Sequence, residues 1–381
     1  MENQGAKVYS ERTDSIRIIN TQPHPLFGDT PQCHFQIGEI QLVRNPDKVT
    51  GQKVEIWRFQ LWNENEKAER ELYTKAFSKL LNLLKTTYPE YRKIGRLRAD
   101  SANVVRFLGW QFTPSINLIS RPEFQVIAEW CTGGNFKDAA KHFLPIHMIR
   151  KWLYEMLCGL DFLHRNRIIH HNLHSRIIYF TEANFKGTVK IGGFNHRRRL
   201  EVPDGLAARH DPSCVSTEDG RFVAPELVDA SDDYDIGRRS DIWSAGCVAL
   251  HLLTGQPPLY VGARNRPIKL EMAVVYYLNS SERNLDERRP FIPESLPKST
   301  TNFVLRCLKF DPKERPLASE LLGRNGELFF FHAKPDNPRR YQSQGMRRLP
   351  QDTLDYWAKN IKVSIPRQGA SSGSFLKCCV R

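Results

Sequence analysis

Apolar residues change their spacing partway along the chain, and the change divides it into two parts. Between about Phe35 and Trp130 they come in short clusters. The best formed of these, residues 52–61, follows Thr50-Gly51 and carries Val54, Ile56, Trp57 and Phe59. Such β-branched and aromatic residues pack well on a pleated surface, so the run predicts a strand entered from a turn. From about Asn135 the period lengthens to that of a helix. Ile149, Trp152, Leu153, Met156, Leu157, Leu160 and Leu163 fall on one face of a helix that ends shortly before His170. A second stripe over residues 242–253 predicts another helix, stopped at Thr254-Gly255. Residues 1 to about 27 are polar and end in Pro23 and Pro25, so residues 1–34 read as a leader. The body, residues 35–331, then falls into a strand-rich part to about 132 and a larger helical part from about 133. After Phe331 the period dissolves into Lys334-Pro335-Asp336-Asn337-Pro338-Arg339-Arg340, and residues 332–381 read as a mobile basic tail with one short helix near residues 353–359.

Composition narrows the class. The chain has 381 residues, 40% of them hydrophobic, and no run approaches the eighteen or so apolar residues of a membrane span. Its eight cysteines are scattered, apart from the Cys378-Cys379 pair, with no Cys-x-x-Cys spacing. That usage fits a reduced intracellular compartment. Nothing at Met1-Glu2-Asn3-Gln4-Gly5 resembles a signal peptide or a myristoylation site. The formal charge of +14 suggests an acidic partner, and residues 332–381 contribute half of it, ten cations against three carboxylates.

Five strings in order carry a resemblance. Ile168-Ile169-His170-His171-Asn172-Leu173-His174 and Val189-Lys190-Ile191-Gly192-Gly193-Phe194-Asn195 resemble the catalytic loop and the metal-binding D-F-G segment of protein kinases. Ala224-Pro225-Glu226 matches the A-P-E that closes an activation segment, and Ser240-Asp241-Ile242-Trp243-Ser244-Ala245-Gly246 resembles the central helix. Cys307-Leu308-Lys309-Phe310-Asp311-Pro312-Lys313-Glu314-Arg315-Pro316 is similar to the late segment whose arginine pairs with the A-P-E glutamate. The resemblance implies an α+β, bilobal protein-kinase-like fold with an N-lobe over about 35–132 and a C-lobe over about 133–331. His170, Phe194, Glu226, Asp241 and Arg315 would be its structural positions. Glu129-Trp130-Cys131-Thr132-Gly133-Gly134 leans toward Ser/Thr kinases that act upstream in cascades.

At the positions that perform phosphoryl transfer, the resemblance fails. The catalytic aspartate becomes Asn172, the two magnesium ligands become Ile177 and Gly193, and the phosphate-binding lysine falls on Trp57. Glu55, two residues earlier, shares the face of Trp57 and would place charge beside its bulk toward the nucleotide cleft. Gly38 alone remains of a glycine-rich loop in Ile37-Gly38-Glu39-Ile40-Gln41-Leu42-Val43. A slipped register would instead make Lys53 or Arg58 the cation. Glu90 has the spacing of the helix glutamate that pairs with that lysine, or is a solvated helix charge behind Pro89. Arg197-Arg198-Arg199 with Ser213, Ser216 and Thr217 reads as a phosphorylation switch or as an exposed basic loop. Cys378-Cys379 reads as an S-acylation site or an unmodified end.

The expectation is a pseudokinase: a regulatory or scaffold component of intracellular, cytoplasmic signalling. No cofactor is expected, with ATP and magnesium binding weak or absent. Its partners would be signalling proteins, active kinases among them, with acidic membrane contact through the tail rather than nucleic acid. Two alternatives stay open, a divergent Ser/Thr kinase with weak ATP-dependent activity and a basic-tail binder that uses the fold as a platform.

Overall fold

Alternating apolar residues before Cys131 build one antiparallel sheet. The computed structural model describes residues 16–23, 33–42, 49–60, 70–71, 103–113, 122–193, 220–227, 234–260, 289–323 and 347–360. Two compact units emerge, residues 1–98 with 105–131 and residues 99–104 with 132–381. In the first, β1 (Ile16–Pro23), β2 (Cys33–Leu42), β3 (Val49–Gln60), β4 (Phe107–Thr113) and β5 (Glu123–Glu129) form a sheet of order β1-β2-β3-β5-β4. β3 lies between two neighbours, with Trp57 opposite Phe35 of β2 and Val126 of β5. Val54, Ile56, Val126, Ile127 and Ala128 are buried there.

Three details of the sequence reading change. The polar leader contains β1, in which Ile16 faces Leu42 and Ile18 faces Ile40. Pairing with a distant strand is not announced by the local sequence. The same register sets Gly38 inside β2 opposite Val54, so it is a strand residue and not a loop glycine. Finally, Thr50-Gly51 lies within β3, where its pairing with β2 shifts between Glu39 and Gln41, and is not a turn.

Helical spacing governs the second unit. Asn135 caps α1 (Phe136–Ala140), its side-chain oxygen accepting from the Asp138 N–H at 3.0 Å. After β6 (His142–Phe143) comes α2 (Ile146–Arg165), on which all seven residues of the expected stripe are buried. Phe136, Trp152 and Phe180 cluster above it with ring centroids 4.7–5.9 Å apart. β7 (Ile178–Glu182) and β8 (Lys186–Ile191) form a hairpin. The next helix, α3 (Tyr234–Thr254), is not one-sided: every residue from Ser240 to Thr254 is buried, which makes it the centre of the unit. It ends at Gly255, φ +74°, whose N–H bonds the His251 carbonyl at 2.8 Å. α4 (Lys298–Cys307) and α5 (Ala318–Leu322) follow.

The expected mobile tail needs a larger correction. β9 (Arg347–Arg348) pairs parallel with β6, and α6 (Gln351–Asn360) follows it. Thr353 is fully buried and Leu349 nearly so. Among the described residues no helix is long and apolar enough to cross a membrane.

Candidate functional site

The loop from Ile168 to His174 joins α2 to β7 and is held from below by α3. Asp241, wholly buried on α3, accepts the backbone N–H groups of His170 and His171 at 2.7 Å each, and its Oδ2 lies 2.8 Å from His164 Nε2. Burial opposes its charge, but the His164 hydrogen bond and the surrounding histidines outweigh burial and bring its pKa down to about 2. The loop therefore rests on an ionised carboxylate. His170, itself fully buried, sets Nε2 2.7 Å from the Gly192 carbonyl and so ties the loop to the end of β8. α3 packs closely on the loop at Gly237, where a Cβ would stand 2.6 Å from Ile169 Cδ1 and 2.8 Å from His171 Nε2.

Upon this frame the reactive positions are altered in a coordinated way. Asn172 is half-exposed, and its side chain makes no hydrogen bond among the described residues. An amide offers a donor and an acceptor but no carboxylate to take a proton. Ile177 is buried, and the Gly192 N–H bonds its carbonyl at 2.9 Å. Gly193 has φ +72°, and a Cβ built there would fall 2.7 Å from Ile177 Cδ1 and Cγ2 and 2.8 Å from its Cβ. The two positions that the resemblance assigns to magnesium thus face each other, and the isoleucine fills the space that a side chain at 193 needs. Magnesium requires oxygen ligands in near-octahedral array. These residues do not fit it, and no group of three His, Cys, Asp or Glu among the described residues is placed to hold a metal. Phe194, the Arg197 to Thr217 stretch and Glu90 lie outside the described residues.

On β3, Glu55 and Trp57 do share a face. Trp57 Nε1 donates to Glu55 Oε1 at 2.6 Å, and both side chains are buried. Burial pushes the Glu55 carboxyl up to about 7, with the Trp57 bond pulling weakly the other way. The charge expected of Glu55 is therefore reduced, because this carboxyl is buried and only partly ionised at neutral pH. Arg58 falls on the opposite side of the strand, its guanidinium 3.8 Å from Glu123. Lys53 lies over the Trp130 ring at 5.2 Å.

Glu226 and Arg315 form a two-pronged ion pair, Nη1 to Oε1 at 2.5 Å and Nη2 to Oε2 at 2.9 Å. Arg315 is fully buried. Its remaining donors reach the carbonyls of Lys309, Phe310 and Arg239, and its guanidinium stacks 4.9 Å from the Trp243 ring. Ser240 Oγ adds a bond to Glu226 at 2.6 Å. Every polar direction of the pair is answered.

Sequence reasoning passed over three contributors. His164, in the last turn of α2, is the third support of Asp241, and its place beside the apolar stripe was the available signal. Asn103 donates to the Val189 carbonyl and accepts from the Ile191 N–H, both at 2.8 Å, so it fixes the strand that leads to Gly193. His251 Nδ1 lies 2.9 Å from Ser175 Oγ, and burial pushes its pKa to about 3, which keeps it neutral under the loop.

The family model described as protein kinase domain matches residues 62–325. The human mitogen-activated protein kinase kinase kinase 4 is 28% identical over 220 residues, which are 58% of this chain and 12% of that protein. Mitogen-activated protein kinase kinase kinase A of Dictyostelium discoideum is 30% identical over 246 residues, 64% of this chain and 23% of that one. A probable serine/threonine-protein kinase of the same organism is 30% identical over 202 residues, 52% and 36% respectively. The chain thus spans well under half the length of these relatives.

Proposed function

The chain belongs to the protein kinase family, and from that premise we propose that it is a catalytically impaired member that regulates or scaffolds intracellular signalling. Its similarity to Ser/Thr kinases, mitogen-activated protein kinase kinase kinases among them, supports signalling proteins, active kinases included, as its partners. One observation carries the reading: Ile177 occupies the space beside Gly193, so that both expected metal positions are closed by one apolar contact. Phosphoryl transfer works by charge neutralisation and positioning. An amide at Asn172 with no carboxylate at 177 or 193 removes the base and both metal ligands together, and groups that act as a unit do not compensate singly.

A second reading, a divergent Ser/Thr kinase, is favoured by the intact brace, since Asp241, His164 and His170 hold the loop in a defined shape. Thermal unfolding with millimolar ATP, with and without magnesium, separates the two. A ligand of micromolar affinity at a thousandfold excess would stabilise by about 4 kcal/mol. The impaired reading expects no magnesium-dependent rise in the midpoint and no transfer of labelled phosphate. A strong rise with Mg-ATP, or transfer abolished by Asn172→Ala, overturns it in favour of the divergent enzyme.

A further inference from the structure

Residues 347–360 run outside the stretch that matches the family model, yet they are seated on the second unit. The seat has three parts. Arg347 and Arg348 pair with His142 and Phe143, and the Arg347 N–H bonds the Lys141 carbonyl at 3.1 Å. Leu349 and Thr353 are buried. Lys186 Nζ meets Asp352 Oδ2 at 2.6 Å and lies 5.8 Å from the centre of the Tyr356 ring, whose hydroxyl accepts the Gly187 N–H at 3.1 Å. Gly187, the second residue of β8, has φ +73°, and a Cβ there would strike Thr181 Oγ1, so this contact needs glycine.

We propose that residues 347–360 are a detachable strap, an intramolecular ligand of β6 and of the start of β8 that opens without unfolding the unit beneath. Its construction supports opening. The strand pairing is two residues long, Gln351, Asp352, Asp355 and Lys359 are exposed, and the Asp352 side chain is 60% exposed, so the ion pair is screened by salt. Segments with few buried contacts open at far lower cost than a core helix such as α3. Release frees the Gly187 N–H and the Lys186 ammonium from Tyr356 and Asp352. Those two groups take a carboxylate and a hydrogen-bond acceptor one helical turn apart, and the strap supplies both in cis from α6. The inference stands whether or not the chain transfers phosphate.

Hydrogen exchange on the full chain tests it. In wild type, the amides of residues 347–360 and of Gly187 should exchange at one shared rate, faster than α3 and slower than unprotected chain, and rise with salt. Asp352→Lys and Lys186→Asp should each raise that rate about three- to tenfold, as loss of an exposed pair plus repulsion would, and the double reversal should restore it. Tyr356→Phe should quicken Gly187 alone. Thr353→Glu, which puts a charge into a buried position, should free the strap while the midpoint of the remaining protein stays put. The proposal falls if the strap exchanges only together with α3, if wild-type strap amides are unprotected, if charge reversal leaves the rates unchanged, or if Thr353→Glu unfolds the whole unit.

Discussion

Arg315 concentrates in one side chain an ion pair, three carbonyl contacts and a stacked indole, all without exposure. Arg315→Ala should leave the mostly enclosed Glu226 carboxylate without its cation beside Ser240 and cost about 3–5 kcal/mol, a drop of many degrees in the thermal midpoint. An unaltered melting curve would show that the pair carries no such weight. Glu55 makes a prediction of opposite character. Its folded pKa, about 7, stands above the ordinary 4.5, so the folded chain binds this proton more tightly. Its contribution is fully present below about pH 4.5 and is lost as pH rises through about 7, on the order of 3 kcal/mol by linkage. Chemical denaturation of Glu55→Gln and wild type should diverge across that window, the variant showing the flatter profile. Matching profiles would mean that Glu55 is solvated. Asp241 has the reverse sign, because its depressed pKa makes its stabilisation disappear only as pH falls through about 2.

At the scale of elements, what could be read from the sequence tracks the number of residues that repeat a period. Seven apolar residues on one face made α2 plain, and four ordered motifs located the loop, the central helix and the Glu226–Arg315 pair. β1 escaped because Ile16 and Ile18 gain their meaning only from the register that sets them opposite Leu42 and Ile40, a pairing that no local pattern contains. The strap escaped likewise, since its buried anchors Leu349 and Thr353 stand four residues apart with the polar Gln351 and Asp352 between them and make no apolar stripe. Nor could spacing reveal that Ile177 and Gly193 touch; it showed two separate losses where the fold makes one packed contact. That contact predicts the outcome of repair. Gly193→Asp should not restore a metal site but should destabilise by about 1–3 kcal/mol, through a strained backbone at φ +72° and a clash with Ile177 Cβ. Ile177→Asn in the same chain should relieve the clash part, so that the double variant is more stable than the two single costs added. Strict additivity in denaturant melts would argue that the two side chains do not meet.

For the molecule as a whole, charge is the property that the fold redistributes. The excess of residues 332–381 looks like one basic arm, but the seated strap holds Arg347, Arg348 and Lys359 against Asp352 and Asp355. Most of the excess therefore belongs to the flanks, with Lys362, Arg367, Lys377 and Arg381 following the strap unopposed by any carboxylate. If acidic membrane contact is made through this end, as we propose, it should depend on those four residues more than on the strap. Removing residues 361–381 should weaken co-sedimentation with anionic vesicles and flatten its dependence on salt between about 0.05 M and about 0.5 M, where the screening length shrinks through the size of the contact. Replacing the four cations by Gln in the full chain should reproduce that loss while keeping Cys378 and Cys379, which separates charge from any acyl anchor. Should the full-length and four-Gln proteins bind alike at low salt, the end of the chain provides no electrostatic attraction, and the partners of the protein must be sought on the folded surface, with the site beneath the strap first among them.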